Sequence, residues 1–425
     1  MAKGDLASIA FIYYSRKDVQ EAIFNFCKSR ETIARHEDSF SKRPDTLEYP
    51  SDILQQVKKG FSSFHCSQEL WEDPLKLSTE LKKEDFDNLR QGWDLLIDID
   101  SKYLDYSKIC ASLLIQALEF HGIKNLGVKF SGGKGMHIIV PWKAFPNEVN
   151  NIQTKNMFPE WPRIITSYLQ HLITPQLIEQ ITRLTTKEKY VLDEEEAKKV
   201  IPDLVLVSSR HLFRAPYSLH EKGLASVVLD KSQVSSFQPE QANPLKAYVK
   251  DFYPQARENE AKELLVSALD WFKQKEKAKP KSSKNFQQVK LDKSSIVYPP
   301  CIDLIMQGLK DGKKRAVFIL INYFRSLGLD WEELEQKLES WNKLNQPELK
   351  AGYIQSQLAW NQRQKQRLPP NCSGDWYKGI AVCSPDNLCS KIKNPVNYSV
   401  IRSRKLNSQD KTNKDKKTTK KEKKA

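Results

Sequence analysis

The chain has 425 residues, 39% hydrophobic and 28% charged, with a formal net charge of +15. That composition suits a soluble protein of two or three packed domains, and the absence of any apolar run of about 18 residues excludes a transmembrane helix. A basic excess favours polyanions such as nucleic acid, or an anionic membrane surface; the plainer alternative is a soluble protein with a sticky tail.

The first residues, MAKGDLASIAFIYY, carry one lysine and a short apolar stretch that runs into charged sequence. They read as the first element of the fold and not as a signal peptide. Residues 1–270 mix strand-like and helix-like periods and read as one domain, the catalytic one if the resemblance given below holds. Residues 271–292 are rich in Lys and Ser around Pro280 and read as an exposed linker. Residues 293–403 have helical periods. Residues 404–425 read as a disordered tail, with nine lysines against Asp410, Asp415 and Glu422. Cys27, Cys66 and Cys110 are isolated, whereas Cys301, Cys372, Cys383 and Cys389 fall in the last third. An odd count without a secretion signal argues for a reducing, cytoplasmic setting, where clustered cysteines bind metal more often than they pair.

The central stretch is the most legible. Residues 93–100, WDLLIDID, read as a strand, residues 101–121 as a helix stopped by Gly122, and residues 125–130 and 137–142 as two strands around a glycine-rich turn. This order predicts an α/β (α+β) domain with a mixed sheet. Asp98 and Asp100 are two apart on the strand, so both carboxylates leave the same face, roughly 7 Å apart at Cα. Two such acids repel unless a hard cation such as Mg²⁺ or Mn²⁺ lies between them, the arrangement of two-metal phosphoryl transfer. The plain alternative is a strand end bearing two solvated acids.

The turn Ser131-Gly132-Gly133-Lys134-Gly135-Met136-His137 lets backbone N–H groups approach an anion, with Gly133 at its centre and Lys134 supplying charge. It lacks the spacing of a Walker A loop and leads into a strand, so a flexible hairpin turn is the competing reading. Residues 203–224, DLVLVSSRHLFRAPYSLHEKGL, open with a strand pattern at 204–207. They then set Arg210, His211, Arg214, His220 and Lys222 close together, a group able to grip a triphosphate or to form a basic surface loop.

Together DID (98–100), SGGKGMH (131–137) and RHLFRAPYSLHEKG (210–223) resemble, in order, the three motifs of the archaeal–eukaryotic primase small subunit. Arg30-Glu31, and Ser63-Phe64-His65 ahead of Trp71, are similar to upstream features of that family. The resemblance covers roughly residues 10–235. It implies the primase catalytic fold, and a DNA primase that makes short primers on a single-stranded DNA template from nucleoside triphosphates by two-metal nucleotidyl transfer. It further implies Mg²⁺ or Mn²⁺ on Asp98, Asp100 and a third acid, for which Asp203 matches best, with Asp193 and Glu194 nearby. Ser131, Lys134, His137, Arg214 and His220 match the nucleotide-phosphate positions. A primase large subunit and a replicative polymerase would be partners, in the cytoplasm of an archaeal-type cell, at the nucleoid. The alternative is a non-catalytic nucleic-acid-binding subunit of a primase complex.

Cys301 follows Pro299-Pro300, and Cys372, Cys383 and Cys389 come later, at intervals that do not fit a CxxC zinc ribbon. Four thiolates gathered from helices could hold a [4Fe–4S] cluster or a Zn²⁺ ion, or be buried free cysteines. Their order is similar to the iron–sulfur domain of the primase large subunit. Lys313, Lys314, Arg315, Tyr323, Arg325, Trp341, Tyr353, Trp360 and Arg363 interleave basic and aromatic side chains, as a single-strand platform does.

Overall fold

A computed structural model describes residues 3–36, 39–78, 80–101, 103–188, 208–278, 296–350, 352–364 and 366–404. The chain divides into two compact units, Met1–Pro280 and Lys281–Ala425. Among the described residues no helix is long and apolar enough to cross a membrane.

Among the described residues, the first unit mixes helices with two four-stranded sheets and two strand pairs. It opens with helices α1 (Lys3–Tyr14) and α2 (Lys17–Cys27), strands β1 (Thr32–His36) and β2 (Ser39–Phe40), helix α3 (Ser51–Lys58), and strands β3 (Ser63–Ser67) and β4 (Glu69–Trp71). Helix α4 (Lys83–Leu89) leads to β5 (Arg90–Trp93) and β6 (Leu95–Ile99), and helix α5 (Leu104–Phe120) to β7 (Gly127–Phe130) and β8 (Met136–Val140). Short strands β9 (Glu148–Val149) and β10 (Ile152–Gln153) precede the long helix α6 (Glu160–Glu188). Strands β11 (Leu212–Arg214) and β12 (Val228–Leu229) follow, and a helix over Lys262–Ala278 closes the unit.

One sheet has the order β12-β7-β8-β6 and the other β11-β3-β1-β2. Among the described residues all their pairings are antiparallel, where a mixed sheet was expected. The crossover through α5 does return β7 parallel to β6. The next strand, β8, then inserts between them as a hairpin partner, so each adjacent pair runs antiparallel. Leu95, Ile97 and Ile99 of β6, Ile138 of β8, and Cys110, Leu113, Leu114 and Leu118 of α5 are all buried in one core. Gly122, at φ +84°, ends α5 in the left-handed conformation that a side chain disfavours. In the other sheet, Tyr14 of α1 meets Phe64 of β3 edge to face at 5.3 Å.

Two expected boundaries shift. The strand expected over residues 93–100 is broken at Asp94, whose buried carboxylate is committed to side-chain and backbone donors. Residues 271–278, expected in the linker, are the last turns of a helix. Trp271 holds them there, packing on Tyr168 and stacking on His171 of α6 at 5.4 Å. The strand pattern at 204–207 and the tail from 405 lie outside the described residues.

The second unit is helical among the described residues. Its helices include Pro300–Met306, Lys313–Ser326, Trp331–Asn342, Tyr353–Gln362 and Asp375–Lys378, and residues 395–404 are also helical. Ile302, Ile305, Leu320, Phe324, Leu334, Leu338 and Trp341 form its own core. Asp330 caps the third helix by accepting the Glu333 N–H at 2.9 Å. Tyr323 and Trp341, grouped above with a binding platform, are core residues: Trp341 Nε1 donates to the Ile305 carbonyl at 2.6 Å.

Candidate active site

Antiparallel pairing of β6 with β8 sets Asp98 opposite His137, and pairing of β8 with β7 sets His137 opposite Lys129. Directly opposed residues share a sheet face, so the three side chains form a row across three strands. His137 Nε2 lies 3.3 Å from Asp98 Oδ1. Its other ring nitrogen, Nδ1, is buried with no hydrogen-bond partner among the described residues. Burial alone would raise the Asp98 pKa, but the neighbouring His137, Lys129 and His211 outweigh it, and the carboxyl is held below its ordinary value. Burial, then the charge of Lys129, lowers His137.

The second sheet faces this row. Phe213 of β11 meets the His137 ring at 5.9 Å, and Lys129 Nζ lies 5.8 Å from the same Phe213 ring. Arg214 is the cross-strand partner of His65. Its guanidinium donates to Ser63 Oγ, to the Leu219 carbonyl, and to Glu221 at 3.1 Å. Burial, then Arg214 and Arg35, pushes His65 well below its usual pKa. The two sheets thus bring the buried side chains of His65, Lys129, His137 and Arg214 together beside Asp98.

The loop after β7 closes on itself. Ser131 N–H donates to the Gly135 carbonyl at 3.0 Å, and Ser131 Oγ accepts from Gly135 N–H at 3.1 Å and Gly133 N–H at 3.4 Å. Those two N–H groups, expected to face an anion, are thus turned onto the serine hydroxyl. Gly132 has φ +93°, and a Cβ on Gly133 would come 2.9 Å from His220 Nε2. His220 therefore roofs the loop, as close as a glycine allows. Burial and the charge of Arg214 bring its pKa down to about 4. A Cβ on Gly135 would meet the Ile99 carbonyl at 2.5 Å, so the loop also packs against the end of β6. Lys134 is exposed at its tip.

Several expected site residues are brought together here: Asp98, His137, Ser131, Gly133, Arg214 and His220. Asp100 follows β6 as an exposed residue one position past the strand end. Arg210 is not part of the group. Its guanidinium pairs with buried Glu31 at 2.7 Å, alongside Arg43, and its N–H donates to buried Glu69 at 2.6 Å. Two buried glutamates need those donors, so Arg210 anchors its segment instead of offering a free charge. Asp203, Asp193 and Glu194 lie outside the described residues. Lys129, His65 and Glu221 were not among the expected site residues. A lysine inside the apolar strand Val128-Lys129-Phe130 was the available signal for the first.

In the second unit, Cys301, Cys372 and Cys389 are half-buried and Cys383 is exposed. Burial, then repulsion from Cys372, Cys389 and Cys383, pushes the Cys301 thiol up to about 12. The four thiols thus share one neighbourhood. Among the described residues, however, no three His, Cys, Asp or Glu side chains are grouped tightly enough to hold a metal ion.

No family model matches the chain. A 138-residue stretch is 28% identical to the uncharacterized protein MJECS07 of Methanocaldococcus jannaschii, covering 32% of this chain and 29% of that protein. The chain thus spans less than a third of that relative's length. Among solved structures, the chain is similar to the polymerase domain of Mycobacterium tuberculosis ligase D in complex with DNA. The TM-score is 0.34 at 13% identity, covering 62% of this chain and 88% of that one.

Proposed function

We propose that residues 1–280 form a template-directed nucleotidyltransferase of the primase kind, joining nucleoside triphosphates into short primers on single-stranded DNA. The observation that carries this reading is the Asp98–His137 pair set beside a glycine loop roofed by His220 and backed by Arg214. Asp98 and Asp100 would hold Mg²⁺ or Mn²⁺, with Asp203 as third acid. The donors suit such an ion in kind, since hard cations take carboxylate oxygens and Asp98 is held ionised. A bound divalent cation would supply charge neutralisation for the phosphoryl group and for the attacking hydroxyl.

The chain's own side chains do the rest. His137 Nδ1, buried without a hydrogen-bond partner among the described residues, would donate to a phosphate oxygen with the ring doubly protonated, its Nε2 being turned to Asp98. Arg214 and His220 bring charge and a ring nitrogen to the triphosphate tail, and Lys134 adds charge at the loop tip. Holding the α-phosphorus in line with a 3′-hydroxyl accounts for most of the expected rate gain. For the second unit we propose a [4Fe–4S] cluster on Cys301, Cys372, Cys383 and Cys389, with Zn²⁺ as the alternative. Burial and the neighbouring cysteines hold the Cys301 thiol protonated, and a bound cationic centre would stabilise the thiolates instead.

The test is primer synthesis on single-stranded DNA with labelled triphosphates. The wild-type chain should make short products that need a divalent cation, and Asp98→Asn with Asp100→Asn should make none while still binding DNA. Wild-type protein that binds DNA without incorporating label would favour the non-catalytic subunit instead.

A further inference from the structure

The proposed triphosphate cradle is assembled from two distant pieces of chain. The glycine loop follows β7; the hairpin bearing Arg214, His220 and Glu221 follows β11. One buried side chain spans them. Lys129 is fully buried, and its Nζ donates to Ser226 Oγ, 97 residues away, at 2.7 Å. Ser226 Oγ donates in turn to the Phe130 carbonyl at 2.7 Å, immediately before Ser131. The Ser226 backbone is tied into the hairpin: its N–H donates to Ser218 O at 2.9 Å, and its carbonyl accepts the Tyr217 N–H at 2.7 Å. Lys129 also lies against the rings of Phe213 and Phe252, at 5.8 and 5.7 Å.

A buried amine is costly, and an apolar residue of the same length would pack there without that cost. A group that the fold alone disfavours, placed next to His137 in the row of Asp98, points to a role in the site. We infer that Lys129 is a positioning residue: through Ser226 it clamps the Arg214–His220 hairpin to the base of the glycine loop and sets the width of the triphosphate cradle. This rests on the function proposed above. Burial, with Arg214 nearby, lowers the Lys129 ammonium to about 7, so a methionine in its place gives up only part of a charge at neutral pH.

Lys129→Met and Ser226→Ala, singly and together in the full chain, test the clamp. Melting temperature, Kd for a fluorescent ATP analogue with Mg²⁺, and KM and kcat for ATP in primer synthesis are the readouts. Lys129→Met should melt no lower than wild type, because it removes a desolvated amine. It should raise Kd and KM at least about tenfold, since small displacements in a reacting geometry carry large penalties, with kcat changed much less. Ser226→Ala should give at least that shift, because it also removes the bond from Ser226 Oγ to the Phe130 carbonyl, and the double variant should give no more than Ser226→Ala alone. Wild-type Kd and KM in Lys129→Met, a lowered melting temperature with unchanged KM, or additive effects would each overturn the clamp. If wild-type protein binds ATP and makes primers while Lys129→Met matches it, only this inference falls. If wild type does neither, the proposed function falls and takes the clamp with it.

Discussion

Removing the carboxylate of Asp94 should destabilise the first unit more than any change at the proposed catalytic acids. Asp94 is fully buried where β5 gives way to β6, and it accepts from three donors. These are Arg30, Trp142 N–H at 2.7 Å and Tyr253 O–H at 2.8 Å. Arg30 is itself only 2% exposed, and it donates onward to the Phe26 carbonyl at 2.9 Å and the Ser67 carbonyl at 3.0 Å. The pair thus ties the end of α2 and strand β3 to the strand that carries Asp98. Asp94→Ala leaves a guanidinium buried without its counter-charge, which costs about 3–5 kcal/mol when one partner of a buried pair is removed. The orphaned N–H and O–H add to this only in part, because the same donors overlap and water can enter the gap. Taking roughly 4 kcal/mol and about 2–4 °C per kcal/mol for a unit of this size, the melting temperature should fall by roughly 8–16 °C. Asp94→Asn keeps one acceptor oxygen and should fall by less. Calorimetry of the full chain at pH 7.5 measures both. A shift under about 2 °C for Asp94→Ala would mean that the pair contributes no more than an exposed one, and the reasoning would fail.

The remaining predictions concern the loop, the charges and the thiols. Gly135→Ala places a Cβ 2.5 Å from the Ile99 carbonyl, so the loop must move off the end of β6. Primer synthesis should be lost for about 1–3 kcal/mol of stability, whereas retained activity would separate the loop from the site. Lys129 has an ordinary pKa of 10.5 and about 7 in the fold. Between those values the unfolded chain holds the proton that the folded chain has released, so stability rises with pH. Urea denaturation should therefore show wild type gaining on Lys129→Met between about pH 7 and pH 9, and parallel curves would contradict this. His220, at about 4 against an ordinary 6.5, works the same way in acid. The unfolded chain takes up its proton first as pH falls below 6.5, so the folded state loses stability down to about 4, and His220→Gln should flatten part of that loss. Anaerobically purified protein should be brown with about four irons per chain. Cys301→Ser should lose the colour, and a preparation with neither iron nor zinc contradicts the assignment.

Much of the framework around the candidate site was legible because local patterns carried it. Residues 95–99, 104–120, 127–130 and 136–140 form the elements expected from their periods, and the glycine turn sits between two strands. What escaped depended on pairings between distant residues. That β8 enters between β6 and β7 is decided by which strand buries Ile138 and Ile139 best, not by any local propensity. The second sheet joins residues 63–67 to 212–214 across most of the unit, so His65 could not be placed beside Arg214 by spacing. Arg210 looked like a free cation because its partners, Glu31 and Glu69, lie far upstream. Lys129 was hidden by the opposite bias, since a lysine in a strand reads as a solvated face until both of its sides are seen to be packed.

The most direct test is an anomalous-scattering map from crystals soaked with Mn²⁺ and a non-hydrolysable triphosphate. Manganese should appear about 2.1 Å from the Asp98 carboxylate, with the phosphate tail lying between His137 and His220. A well-ordered nucleotide bound elsewhere, with no manganese at Asp98, would contradict the account.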